Sequence, residues 1–258
     1  MHKSRHIGKV NFDSILERCR ERYTPFQIEI ERTRKPLNMA AAIEKARSEG
    51  RNPVISEIKY RSPTGMNRQS APPQEIARAM IKGGACAISV LTEPEFFGGS
   101  LETLRTVKEA SSVPVLRKDF LFHPAQIPES YYYGADSVLL ISSFFTTERL
   151  KDMVRRSRDL GMEPVVEVHS HEDIERASAA GARIYLINNR DKDTLELDIG
   201  RTAAFAPHIR GGVKISASGI EDAAQLREVL NHADAALIGT SIMNAEDIES
   251  KVSSFVEG

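Results

Sequence analysis

Short apolar runs rich in β-branched residues alternate along this chain with stretches whose apolar positions recur every three or four residues. The runs cover 53–59, 85–91, 113–118, 135–141, 163–168, 183–188, 212–216 and 234–239. Most are continuous rather than alternating, as expected of parallel strands covered on both faces. The stretches between them predict amphipathic helices. In the one opening at Thr147, Leu150, Met153, Val154 and Leu160 share a stripe. Thr146 or Thr147 caps its start, and Gly161 supplies the left-handed residue beyond its end. Ser100 caps a helix that opens at Leu101. Glu221 to Leu230 forms another, with Ala223, Leu226 and Leu230 inward. Two further helical stretches, about 11–22 and 37–48, precede the first strand. Eight strands alternating with helices predict an α/β protein, a single (β/α)8 (TIM) barrel over residues 1–258 with an N-terminal helical extension, about 1–50. A chain of about 250 residues suits one such domain. The extension is not needed to close the barrel, so it plugs the bottom or roofs the active face.

Charge interrupts this pattern at strand ends. The first run closes on Glu57-Ile58-Lys59, the third on Arg117-Lys118-Asp119, and the fifth on Glu167 before Val168. Residues at the C-terminal ends of barrel strands converge on one face. Two lysines and two glutamates meeting there make an acid–base site. Glu57 and Lys59 are two apart on a strand and point the same way. At an interior rim they pair, which keeps Lys59 charged despite burial. The plainer alternative is an ion pair on the surface. Arg61-Ser62-Pro63-Thr64-Gly65 is a polar loop suited to a site wall.

Composition narrows the function classes. Hydrophobic content of 41% and charged content of 28% are ordinary for a globular protein. A net charge of -1 argues against general affinity for nucleic acid or acidic membranes. The start, Met1-His2-Lys3-Ser4-Arg5-His6, lacks an apolar signal region, and no apolar run nears the roughly 18 residues of a membrane span. A cytoplasmic chain follows, with Cys19 and Cys86 as reduced packing residues. Arg18, Arg20 and Arg22 are balanced by Glu17 and Glu21 and read as a solvated helix face. His169 and His171 find no further ligand cluster at other strand ends and read as loop or helix-cap residues, with no metal. Gly98-Gly99 and Gly211-Gly212 fit no nucleotide fingerprint.

Seven segments in order resemble the indole-3-glycerol phosphate synthase family. They are Glu57-Ile58-Lys59 with Ser62-Pro63, the run from Leu91 to Ser100, Pro114 to Phe120, Met162 to Val168, Ile187 to Asp191, Ser218-Gly219-Ile220, and Ile238 to Met243. The similarity runs from about residue 12 to the C-terminus. The chain departs at Ala217, where the family usually has a glutamate before the serine.

The resemblance implies ring closure of 1-(2-carboxyphenylamino)-1-deoxyribulose 5-phosphate to indole-3-glycerol phosphate, carbon dioxide and water, in tryptophan biosynthesis. It implies a carboxy-lyase with no cofactor. Protonating the ketone calls for a cationic acid, Lys118 or Lys59, and the dehydration for a base, Glu167. The spacing does not fix which lysine acts at which step. The resemblance favours Lys118 as the acid, Lys59 as partner of the substrate carboxylate, Glu57 as orienter of Lys59, and Asn188 as holder of substrate hydroxyls or catalytic groups. It makes Phe97 and Phe120 walls around the aromatic ring, with Ser62 and Arg190 at the rim. Ser218, Gly219, Gly239 and Thr240 follow the last two strands, where barrels of this kind grip phosphate. The implied partner is a small phosphorylated molecule. The chain would be a monomer or weak homo-oligomer, in contact at most with other enzymes of its pathway. Alternatives are another phosphate-binding barrel, an isomerase or an aldolase, or a catalytically silent barrel subunit.

Overall fold

The structure is a computed structural model that describes residues 11–25, 30–62 and 65–258. The start of the expected extension, and Pro63 and Thr64 of the expected wall, lie outside those residues. Eight parallel strands form a closed barrel: β1 (Val54–Ile58), β2 (Ala87–Leu91), β3 (Val115–Lys118), β4 (Ser137–Ile141), β5 (Val165–Val168), β6 (Ile184–Asn188), β7 (Val213–Ala217) and β8 (Ala235–Ile238). Each pairs with its sequence neighbours, and β8 closes on β1 through Val54 opposite Ala236. Most strands begin a residue or two later than the apolar pattern suggests. Apolar burial starts before the ladder does, as at Ala85 and Cys86 ahead of β2. Proline, with no N–H for the ladder, stands just before β1, β3 and β5 as Pro53, Pro114 and Pro164.

Eleven helices accompany the strands among the described residues: α1 (Phe12–Arg22), α2 (Met39–Ser48), α3 (Pro73–Lys82), α4 (Leu101–Ala110), α5 (Gln126–Tyr132), α6 (Thr147–Asp159), α7 (His171–Ala179), α8 (Gly200–Phe205), α9 (Ala223–Leu230), α10 (Thr240–Met243) and α11 (Ile248–Val256). The expected caps hold: Ser100 accepts from the Thr103 N–H and Thr146 from the Arg149 N–H, and Gly161 takes φ 79°. In α9 the inward stripe falls on Leu226 and Val229, with Ala223 and Leu230 only half-buried. Arg61–Ser62 and Gly65–Met66 form a two-stranded ladder that the polar loop pattern does not announce.

Alternation along the strands sorts their side chains into two cores. Residues such as Val90, Val138 and Ile187 face the helices. Ile55, Leu116, Leu139, Val165, Leu186 and Ile215 fill the barrel interior. The N-terminal extension closes both ends of that interior. Helix α2 sends Met39, Ile43 and Ala46 to the end where the strands start, and Arg47 pairs with Asp234 just before β8 at 2.7 Å. Helix α1 lies over the opposite end. Its start is fixed by a reciprocal cap, with Asn11 Oδ1 accepting the Ser14 N–H and Ser14 Oγ accepting the Asn11 N–H. Phe12, Ile15, Leu16 and Cys19 form its buried stripe. Between the two helices, Arg34 lies over the Tyr131 ring at 4.3 Å and bonds Asp136 at 3.2 Å. Among the described residues no helix is long and apolar enough to cross a membrane.

Candidate active site

Three strands carry the charged centre. Glu57 points inward from β1 and is 2% exposed. Lys59 stands 3.0 Å from its Oε1, and Lys118, the last residue of β3, stands 3.3 Å from its Oε2. The expected Glu57–Lys59 pair is therefore a three-membered group with both lysines on one carboxylate. Across the barrel mouth, Glu167 of β5 accepts from Asn188 Nδ2 at 3.0 Å and bonds His169 Nε2 at 2.7 Å. The Asn188 carbonyl oxygen in turn accepts the Ser218 hydroxyl at 2.9 Å and the Arg190 N–H at 3.0 Å. Ser218 thus fixes the amide that fixes the carboxylate.

Electrostatics settle the charge states. Burial raises the Glu57 pKa, but the Lys118 and Lys59 charges outweigh it, and the net shift is downward. Burial also raises the Glu167 pKa, and there the His169 hydrogen bond, Lys118 and Asn188 bring the net shift down. Burial lowers the Lys118 pKa, but the charges of Glu57 and Glu167 win, and it ends raised. Burial lowers that of Arg190. Lys118 is accordingly a cation and Glu167 an anion at neutral pH.

A cleft of about 370 Å³ opens on this group. The expected residues Glu57, Lys59, Ser62, Phe97, Lys118, Asn188, Arg190, Ser218, Gly219, Gly239 and Thr240 all line it. Phe120 and Glu167 do not form its wall. Phe120 stacks with Phe97 and with Phe144, ring centroids 6.0 Å apart in each case, and meets Phe12 of α1 edge-on at 5.5 Å. Arg190 reaches along the mouth to the Leu195 carbonyl at 2.7 Å. Ser218 and Gly219 take φ 74° and 81° in succession, so the loop after β7 turns sharply back over the cleft. Ala217, the last residue of β7, is buried in the cleft wall, with no carboxylate at that point.

Several residues act here without having been singled out for a role. Glu93, fully buried, accepts the backbone N–H groups of Glu95, Phe96 and Phe97 at 3.0, 2.6 and 3.2 Å. It shapes the loop that carries Phe97. Asp119 accepts the Phe120 N–H at 2.8 Å and the Thr92 hydroxyl at 2.6 Å, and pairs with Arg117 at 3.0 Å. It holds the turn directly after Lys118. Both lie in segments quoted above, and a charged residue within an apolar turn was the available signal.

Arg18, Arg20 and Arg22 are exposed as expected, and Arg18 pairs with Glu21 at 2.8 Å, but the face also makes contacts across the molecule. Arg22 pairs with buried Glu93 at 2.6 Å and with Glu95 at 2.5 Å, Arg18 pairs with Glu95 at 3.2 Å, and Arg20 lies over the Phe122 ring. His169 does lie in the loop between β5 and α7, but it is 5% exposed and bonded to Glu167. His171 does open α7 outside the site, its ring against Phe205 and His208. Among the described residues no group of three or more His, Cys, Asp or Glu is placed to hold a metal ion.

Fold and site define a (β/α)8-barrel protein with an acid–base centre at the C-terminal rim of its strands. A solved structure of tryptophan synthase from M. tuberculosis, in an open form, shares the fold with a TM-score of 0.64 at 10% identity, covering 86% of this chain and 98% of that one. Thiamine phosphate pyrophosphorylase from Pyrococcus furiosus does so with a TM-score of 0.60 at 17% identity, over 79% and 93% of the two chains. The family model for indole-3-glycerol phosphate synthase matches residues 12–255. Indole-3-glycerol phosphate synthase from Aquifex aeolicus is 44% identical over 79% of this chain and 81% of its own length. The protein of that name from Methanocaldococcus jannaschii is 41% identical over 94% and 91%. The chain belongs to the indole-3-glycerol phosphate synthase family.

Proposed function

We infer that this chain closes the indole ring of tryptophan biosynthesis, converting 1-(2-carboxyphenylamino)-1-deoxyribulose 5-phosphate to indole-3-glycerol phosphate. The observation that carries the reading is a cationic Lys118 in the cleft wall with the charge of an anionic Glu167 beside it, in a chain whose relatives share the family name. In the first step the ring carbon bearing the carboxylate attacks the ketone carbon. A carbon–carbon bond forms, and the ketone oxygen takes a proton from Lys118. Carbon dioxide then leaves, and its bonding electrons restore the aromatic ring. In the last step the new hydroxyl departs as water with a proton from Lys59, Glu167 takes a proton from the methylene carbon beside the ring nitrogen, and the carbon–carbon double bond left behind completes the indole. Lys59 neutralises the substrate carboxylate before it leaves, and Glu57 holds both lysines in place. Phe97 walls the aromatic ring, with Phe120 stacked against it from outside the cleft, and the apolar surroundings strengthen the charge interactions.

The phosphate sits against Ser218, Gly219, Gly239 and Thr240, which form the cleft wall after β7 and β8. Ser62 and Arg190 contact the substrate from the rim. A cytoplasmic monomer or weak homo-oligomer suits this reading.

Formation of indole-3-glycerol phosphate by the purified chain, followed by fluorescence, tests it. The sequence has Trp 0, so background emission is low. Lys118→Ala and Glu167→Gln should each lower turnover by about 100-fold or more, with little change in affinity for inorganic phosphate. Near-normal turnover in either variant overturns that assignment. Absence of product from the wild-type chain, with a covalent adduct trapped by borohydride, would favour an aldolase.

A further inference from the structure

We propose that His169 is a positioning residue for the base: its Nε2–H and the Asn188 amide grip one oxygen of Glu167, leaving the other to take the proton. The inference rests on the role given to Glu167 above. His169 Nε2 and Asn188 Nδ2 both meet Oε1, at 2.7 and 3.0 Å. Position 169 shares the inward side of position 167, since two residues along an extended chain restore the facing.

The ring has little freedom to do anything else. Phe12 of α1 meets it edge-on with centroids 5.4 Å apart. Its backbone N–H is accepted by Asp173 of α7 at 3.0 Å, and Asp173 is neutralised by Arg176 at 2.7 Å. Its carbonyl accepts from Arg201 of α8 at 2.7 Å. Asp191 pairs with Arg201 at 3.4 Å and Glu172 with Arg176 at 2.5 Å, and Lys192, paired with Asp193 at 2.7 Å and close to Asp13 and Asp173, lies on that side too. Around Glu167 itself stand Lys118 and Asn188, with Glu57, Lys59 and Arg190 beyond Lys118. None of these groups reaches His169 Nδ1, which is buried and meets no hydrogen-bond partner among the described residues. A proton on Nδ1 would be left unsatisfied, at a cost. The ring proton therefore belongs on Nε2, aimed at the carboxylate. A histidine that merely filled space would not need its one donor on the base.

The test uses three variants of the full chain. His169→Leu keeps bulk and removes the donor. His169→Gln restores an N–H near the place of Nε2. His169→Asn carries an amide too short to reach. Loss of one charge-assisted hydrogen bond to a reacting group should lower kcat about tenfold in His169→Leu. KM should change much less, because Glu167 acts in the chemical step. The acidic limb of the kcat–pH profile should move to higher pH, since the carboxylate loses a donor that favours its charged form. His169→Gln should recover most of kcat and return the limb toward its wild-type position. A folded His169→Leu with kcat within about twofold of wild type and an unmoved limb overturns the proposal. So does a folded His169→Gln as impaired as the leucine variant. If the leucine variant does not fold, His169→Asn takes its place under the same criteria. Glu167→Gln separates the two readings. Near-normal turnover there removes Glu167 as base, whereas an inactive Glu167→Gln beside an indifferent His169→Leu removes only the positioning role.

Discussion

Gly239 shows how tightly single residues are committed in this site. A Cβ built there would lie 2.6 Å from Glu57 Oε1 and 3.1 Å from Glu57 Cβ. The glycine thus makes room for the carboxylate that holds both lysines, besides lining the proposed phosphate site. Gly239→Ala should lower kcat at least as much as it raises KM, a pattern that steady-state kinetics would reveal. A pure rise in KM would mean that Glu57 is unaffected. Ala217 calls for the opposite expectation. Lys59 and Lys118 already share Glu57, so a second carboxylate is not needed to pair them. Ala217→Glu should change kcat/KM by no more than about tenfold, or about 1.4 kcal/mol. An inert wild-type chain revived by that substitution would return the silent-barrel alternative. At this scale the sequence says much about which residues meet and little about how. Glu57 and Lys59 are legible as a pair because two residues along a strand share a face. That Lys118 joins the same carboxylate depends on strand placement across the barrel. His169 carries the same spacing from Glu167, but burial decides its role, and spacing does not report burial.

Among the elements, α1 and the loop after β2 form one unit. Glu93 holds three backbone N–H groups of that loop and receives Arg22 from α1. Removing Arg22 leaves a buried carboxylate without its cation. The Arg22 side chain is 32% exposed, so water softens the loss to about 1–2 kcal/mol. Arg22→Ala should therefore lower the urea midpoint clearly, and it should raise KM through Phe97. Arg18→Ala, at a side chain 47% exposed, should leave that midpoint almost unmoved in the same titration. Equal effects in the two variants would contradict the assignment. The barrel strands are legible because both faces are buried, which writes them as unbroken apolar runs. The Arg22–Glu93 contact is not, since 71 residues separate the partners and no local pattern links them. The ladder of Arg61–Ser62 and Gly65–Met66 is too short to leave a period.

For the whole molecule, the buried site charges tie stability to pH. Glu57 and Glu167 have folded pKa values below those of the unfolded chain, where glutamate titrates near about 4.3. Their contribution is complete above that value and is lost as pH falls through the lower, folded values. Lys118, shifted upward, contributes below about 10.4 and loses that contribution only as pH rises through its higher folded value. Stability from these groups should be flat between the two limits. Urea titrations should show a shallower decline below about pH 4.3 for Glu167→Gln than for wild type, because one titrating group is gone. An identical acid slope would remove Glu167 from the linkage.

The roof over the cleft also sets an order of events during synthesis. Helix α1 leaves the ribosome before any of its partners. Phe12 waits for Phe120, His169 and the Lys192 carbonyl, and Arg22 waits for Glu93. At about 5–20 residues per second, the interval from residue 22 to residue 192 is roughly 10–35 s. Throughout it, Ile15 and Leu16 have no barrel to cover them. A nascent chain halted before β6 should accordingly expose α1 to protease and to chaperones, and one released after α8 should shield it.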